Sequence, residues 1–261
     1  MALDRPIPAY AKLTKPFEDA LVFLGECFLI TVDVLKRILR GPVEGRETLD
    51  QMAFIGVMSV PIVSLTTFFS GAVLSLYLTE FMGKYHATAF IGATVGLSVA
   101  REIGPVLAGI MVSARCGSAM AAQIGTMAVT EQVDALRMLR VNPTNYLVIP
   151  RIVAAMAMLP VLTLVGDYSG IFGGWLVAVQ KGVPSAVFMN SVVRFLHTSD
   201  MTGGLLKGPV FGFIIALVAC QQGLRTRDGA VGVGRATTNA VVISMVLVYI
   251  ANYFLAQILF R

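Results

Sequence analysis

The chain has 261 residues, 56% of them hydrophobic and 13% charged, and a formal net charge of +5. An ordinary soluble domain carries roughly 25% charged residues, so the solvent around this chain must be partly lipid. The basic surplus is distributed as membrane topology would distribute it, which makes a nucleic-acid reading unnecessary.

At the N-terminus, Asp4 and two prolines precede any apolar run, a pattern unlike a cleaved signal peptide. Between Pro16 and Arg40, Phe17, Leu21, Leu24, Phe28, Val32, Leu35 and Leu39 recur at steps of three and four, with charged residues filling much of the remainder. That spacing predicts an amphipathic helix lying in the membrane interface; a soluble helix packed on a partner is the alternative. Gly41-Pro42 ends it, and a polar linker completes an N-terminal region of residues 1–50.

Residues 51–261 read as a transmembrane region. Charge-free runs cover Gln51–Thr79, Tyr85–Ala100 with Ile103–Ala114, Gly208–Leu224 and Ala236–Phe260, and Ile152–Gln180 is broken only by Asp167. Crossing the hydrocarbon takes about 20 helical residues, so the expected fold is all-α, with five spans behind the interfacial helix. Span 1 is too long for a straight crossing and contains Pro61, which predicts a tilt, a kink or a partly re-entrant hairpin. Gly92-x-x-x-Gly96 and Gly170-x-x-x-Gly174 have the spacing that lets helix backbones approach closely. Lys and Arg concentrate before span 1, between spans 2 and 3, and between spans 4 and 5, which predicts a cytoplasmic N-terminus and a C-terminus on the far side.

Three scattered cysteines and two distant histidines suggest neither a disulfide framework nor a metal site. Gly229-Ala-Val-Gly-Val-Gly234-Arg235-Ala236 imitates a phosphate loop, but Arg235 and Ala236 stand where Lys and Ser/Thr are needed, in a loop between two spans with no strand before it. No nucleophile–base pair appears elsewhere, so no catalytic residue is assigned.

Between spans 2 and 3, Thr130 is a candidate N-cap with Glu131 in the first turn, Val133, Leu136 and Leu139 fall three apart, and Arg137 and Arg140 close the last turn before Asn142-Pro143. A short helix near residues 130–140 either rests on the lipid surface or docks into a groove on a cytosolic partner. Arg101 and Glu102 interrupt span 2. Adjacent helical residues point about 100° apart, so each needs its own partner. Lys207 is the candidate for Glu102, with Asp200 seven residues before it. Such charges either form buried pairs that fix helix register or shape a polar cavity.

The stretch AREIGPVLAGIMVSARCGSAMAAQIGTMAVTEQVDALRMLRVNP (Ala100–Pro143), together with GVGRATTNAVV (Gly232–Val242), resembles the MlaE/YrbE-type permeases of MCE-associated ABC lipid transporters, over about residues 50–261. The resemblance implies an inner-membrane permease homodimer and a cytosolic ATPase dimer that binds ATP and magnesium and engages Thr130–Leu139. It further implies an MCE-protein hexamer on the far side and a phospholipid in a cavity at the dimer interface, moved in support of outer-membrane asymmetry or lipid import. By the same resemblance, Val73, Leu74 and Tyr77 of span 1 line the acyl pocket, while Arg101, Glu102, Asp200 and Lys207 surround its polar end. Asp167 has no assigned partner. An ion-gradient-driven transporter, with Asp167, Glu102 and Arg101 as a relay, and a non-transporting scaffold are the competing classes.

Overall fold

The computed structural model describes residues 9–38 and 45–260. Helix α1 spans Ala9–Ile38. The membrane-length helices are α2 (Gly45–Lys84), α3 (Thr88–Val129), α5 (Thr144–Gln180), α7 (Thr198–Leu224) and α8 (Gly229–Leu259). Two short helices complete the chain, α4 (Gln132–Met138) and α6 (Ser185–Phe195). No strand occurs among the described residues, and the architecture is the expected all-α membrane bundle.

Close backbone contacts fix the direction of each span. Gly71 of α2 meets Gly170 of α5, and Gly56 meets Met158, so α2 and α5 run parallel. Gly104 and Val99 of α3 meet Asp167 and Gly170 of α5 in reverse order. Gly208 and Gly212 of α7 meet Pro160 and Ala155, again antiparallel to α5. In α8, Val248 lies against Gly109 and the Val241 carbonyl accepts from Ser113, antiparallel to α3. The spans therefore alternate, and α1 crosses the end where α2 begins, here the near end. Gln221 donates to Glu26 across that contact, and Arg37 donates to Asn145.

Of the ways span 1 could take up its excess length, the structure shows a break in the helix ahead of Pro61. It is α-helical over Gly45–Ile55, passes through a 3-10 turn at Val57–Ser59, and resumes over Val60–Lys84, a run of 25 residues. Pro61 falls in the first turn of the resumed helix, where a missing N–H is harmless. Arg115 satisfies the break: its Nη1 donates to the freed Phe54 carbonyl at 3.2 Å and to the Ser59 hydroxyl at 3.0 Å. Arg115 itself lies in a π-helical segment of α3, Ser113–Gly117.

Helix α6 lies along α3 ahead of α7. Its Phe188 carbonyl lies against Gly92 and Val192 against Gly96, after which Gly204 of α7 meets the Ala100 carbonyl. Helices α6 and α7 thus follow α3 in one direction, separated by extended backbone at Leu196 and His197. One apolar cluster, built on Ile124, Ile152, Leu159, Phe211 and Ile215, fills the near half; a second, around Ile91, Val95, Val99 and Phe188, fills the far half.

Three sequence expectations change. Thr130 caps nothing: its hydroxyl donates back to the Thr126 carbonyl at 2.8 Å, Glu131 turns the chain with φ +60, and α4 begins at Gln132 with Asp134 as its first-turn acid. Gly229–Gly234 forms the opening turns of α8 and is no loop. Helix α1 carries two apolar faces, because Cys27 and Val34 are buried against the bundle while Leu21, Leu24, Phe28 and Leu35 stay uncovered by the chain. Gly41-Pro42 lies outside the described residues.

Candidate functional site

Two breaks in regular geometry, the π-helical turn Val99–Ile103 of α3 and the gap between α6 and α7, meet at one level of the bundle, beside the C-terminal end of α8 and the packing of Gly204 onto Ala100. π-Helical turns concentrate at functional sites because they re-aim side chains that a regular helix would stack. Here the turn carries Arg101 and Glu102. Thr88–Ala100 of α3 and Tyr168–Gln180 of α5 extend beyond this level by about 20 Å of helix, so the charges lie inside the bundle.

Each charge has a separate partner. Arg101 donates from Nε and Nη2 to Asp200 Oδ1 at 3.0 and 2.6 Å. The other Asp200 oxygen accepts the His197 backbone N–H at 3.0 Å, capping α7. Lys207 donates to Glu102 Oε1 at 2.8 Å, to the Arg101 carbonyl at 2.7 Å and to Asn252 Oδ1 at 2.9 Å. Asn252 Nδ2 closes the ring by donating to Glu102 Oε2 at 2.7 Å. The Phe260 ring covers both cations, 4.8 Å from the Arg101 Cζ and 5.2 Å from the Lys207 Nζ. An isolated charge facing hydrocarbon costs at least about 2.5–3.5 kcal/mol, and this network removes the need for any of the four to do so.

The network is buried on one side only. Lys207 is 0% exposed, whereas Glu102 keeps 42% of its side chain open and borders a cleft of 340 Å³. Ser70, Ile103, Val106, Leu107, Tyr249 and Asn252 line the rest of it. From Ser70 the same face of α2 continues through Val73 and Tyr77, three and seven residues on and within about 60° of each other around the helix. Both are uncovered, as is Phe69. Leu74 points elsewhere and packs on the far-half apolar cluster with Leu78 and Met82.

Sequence reasoning passed over Asn252, Phe260, Tyr249 and Ser70. Asn252 left a usable signal, a carboxamide within the apolar run of the last span. Phe260 left none, since its role depends on Gly203, whose missing Cβ makes room for the ring. Asp167 is fully buried between α2, α3 and α5 against Gly104, and neither carboxyl oxygen has a hydrogen-bond partner among the described residues.

At the near end, α4 hangs below the bundle. Val133 is 5% exposed and anchors it, Leu136 packs partly beneath, and Met138 and Leu139 project at 87% and 74% exposure. Arg137 pairs with Asp134 on the surface at 2.9 Å. Arg137 and Arg140 also border a shallow depression that runs through Val141–Thr144. Among the described residues, no three His, Cys, Asp or Glu side chains converge as metal ligands would.

The family profile described as Permease MlaE matches residues 48–258. A probable ABC transporter permease protein of Rickettsia felis is 44% identical over 239 residues, covering 91% of this chain and 92% of its own length. A probable ABC transporter permease protein of Synechocystis is 42% identical over 239 residues, 91% of both chains. The chloroplastic protein trigalactosyldiacylglycerol 1 of Arabidopsis thaliana is 36% identical over 234 residues, 89% of this chain and 67% of its own. A permease of this kind works with an ATPase partner. A multi-pass helical bundle, a polar network enclosed within it and a matched profile across the whole transmembrane region together place the chain in the MlaE permease family.

Proposed function

We propose that the chain is the membrane gate of an ATP-driven phospholipid transporter, acting as a homodimer between two cytosolic ATPase subunits and an MCE-domain hexamer. ATP and magnesium are bound by the ATPase, which engages α4 from the cytoplasm. The observation that carries this reading is the juxtaposition of two surfaces that a diacyl lipid needs: a polar cleft at Glu102 and Asn252, continued by the uncovered apolar stripe Val73–Tyr77. A relative named for a diacylglycerol lipid supports the substrate class. The near end gathers Arg137, Arg140, Arg225, Arg227 and Arg235, which supports a cytoplasmic near end and a C-terminus toward the periplasm, in an inner membrane. The uncovered apolar face of α1 suits the interface on that side. The exposed face of α8, with Val242, Val246, Tyr249, Ile250 and Tyr253, supplies the surface for the second copy, because only 11% of its most apolar stretch is buried within the chain.

The test is to purify the chain with its neighbouring ATPase, reconstitute it in vesicles and follow fluorescent phospholipid transfer. Transfer should require ATP and should stop when Tyr77 is replaced by Lys. ATP-independent transfer, or transfer indifferent to Tyr77→Lys, would refute the reading.

A further inference from the structure

We propose that the cleft beside Glu102 selects lipids whose headgroup carries a primary ammonium, with Glu102 as the group that recognises it; this rests on the reading of the chain as a lipid permease. The inference comes from following every donor in the network. A lysine ammonium has three N–H bonds to give, and Lys207 gives all three to the protein, to the Arg101 carbonyl, Glu102 and Asn252. It is wholly buried. Lys207 is therefore unavailable to a lipid phosphate, and acts as a positioning residue that holds the Glu102 carboxylate and the Asn252 amide at the cleft wall. Arg101 gives Nε and Nη2 to Asp200 beneath Phe260 and, although 39% exposed, does not border the cleft.

What the cleft presents is thus an acceptor wall. The Glu102 oxygens each accept one internal hydrogen bond, from Lys207 and from Asn252, and a carboxylate has about four acceptor positions in all. The Ser70 and Tyr249 hydroxyls border the same space, and the remaining wall is apolar, from Ile103, Val106 and Leu107. A headgroup amine brings N–H donors and positive charge to that wall, and charge-assisted hydrogen bonds are the strong ones. A phosphate monoester brings only negative charge and acceptors, and finds no free cation lining the cleft. A trimethylated amine keeps the charge but has no N–H to donate. The expected order is phosphatidylethanolamine, then phosphatidylcholine, then phosphatidylglycerol, with phosphatidic acid last.

The experiment offers an equimolar mixture of these four lipids, with identical acyl chains, to the purified full-length chain in detergent and quantifies the retained lipid by mass spectrometry. Phosphatidylethanolamine should be enriched roughly tenfold over phosphatidic acid, the discrimination that one charge-assisted hydrogen bond supplies. Glu102→Gln alone would strand Lys207 without its counter-ion, so the pair is replaced together as Glu102→Gln/Lys207→Met, and the enrichment should then vanish. The wild-type preference for phosphatidylethanolamine over phosphatidylcholine is a second reading that needs no variant. Retention of all four lipids without preference, or enrichment of the anionic ones, overturns the headgroup assignment and leaves the lipid permease standing. Retention of no lipid overturns both.

Discussion

Asp200 joins α7 to α3 through Arg101 while closing the first turn of its own helix. One oxygen accepts from the guanidinium at 2.6 Å and the other accepts from the His197 backbone. Asp200→Asn keeps an oxygen for the cap and loses the charge; Asp200→Ala loses both. Because Arg101 is more than a third exposed, the ion pair itself contributes modestly, and the cap becomes visible as the difference between the two variants. Asp200→Ala should be less stable than Asp200→Asn by about 1 kcal/mol, measured by thermal unfolding in detergent. Equal midpoints would show that the cap contributes nothing.

The α2–α5 contact predicts a sharper loss. A Cβ on Gly71 would lie 2.0 Å from the Gly170 carbonyl oxygen, which only a separation of the two backbones could relieve. Gly71→Ala should therefore destabilise by about 1–3 kcal/mol, the usual cost of overpacking. Gly83, near the end of the same helix, has nothing within 4 Å, and Gly83→Ala should be neutral or gain up to about 1 kcal/mol of helix propensity. The two variants compared in one fluorescence-melting experiment separate crowding from propensity.

What the sequence made legible follows from which forces are local. Five spans were readable because 20 apolar residues have one physical destination, and separate partners for Arg101 and Glu102 followed from helical geometry alone. Lys207 was reachable because an intramembrane carboxylate demands a cation. The way span 1 takes up its excess length stayed open between a tilt, a kink and a hairpin, because the break is fixed by tertiary contacts, Met158 filling the space beside Gly56 and Arg115 satisfying Phe54. Thr130 was misread as a cap because its hydroxyl satisfies the preceding helix instead of the next one. That α6 and then α7 pack along α3, placing Asp200 at the level of Arg101, could be known only once that packing was seen.

The break in span 1 offers a built-in crosslink. Ser59 Oγ and Cys116 Sγ are 3.4 Å apart, one beside the 3-10 turn and the other in the π-helical segment facing it. Ser59→Cys should form a disulfide with Cys116 on mild oxidation, since a modest rotamer change brings two sulfurs to bonding distance. Peptide mapping of the oxidised protein should recover the 59–116 link. Its absence under conditions that crosslink a surface control pair would disprove this register.

Helix α4 separates anchoring from docking within seven residues, which allows the proposed ATPase contact to be tested without disturbing the fold. Val133 is inserted into the near-half core, so Val133→Glu buries a carboxylate without a partner and should abolish folded protein. Met138 and Leu139 are largely exposed, and Met138→Glu/Leu139→Glu should leave the melting temperature where it was. If those two side chains are the knob that fits the ATPase groove, the same double variant should weaken ATPase binding at least about tenfold, as loss of a central apolar anchor does. Co-purification and ATP turnover would fall together while the isolated chain still melted normally. A double variant that binds the ATPase at wild-type affinity would move the contact away from α4, most plainly to the arginine-bordered depression between Arg137 and Thr144.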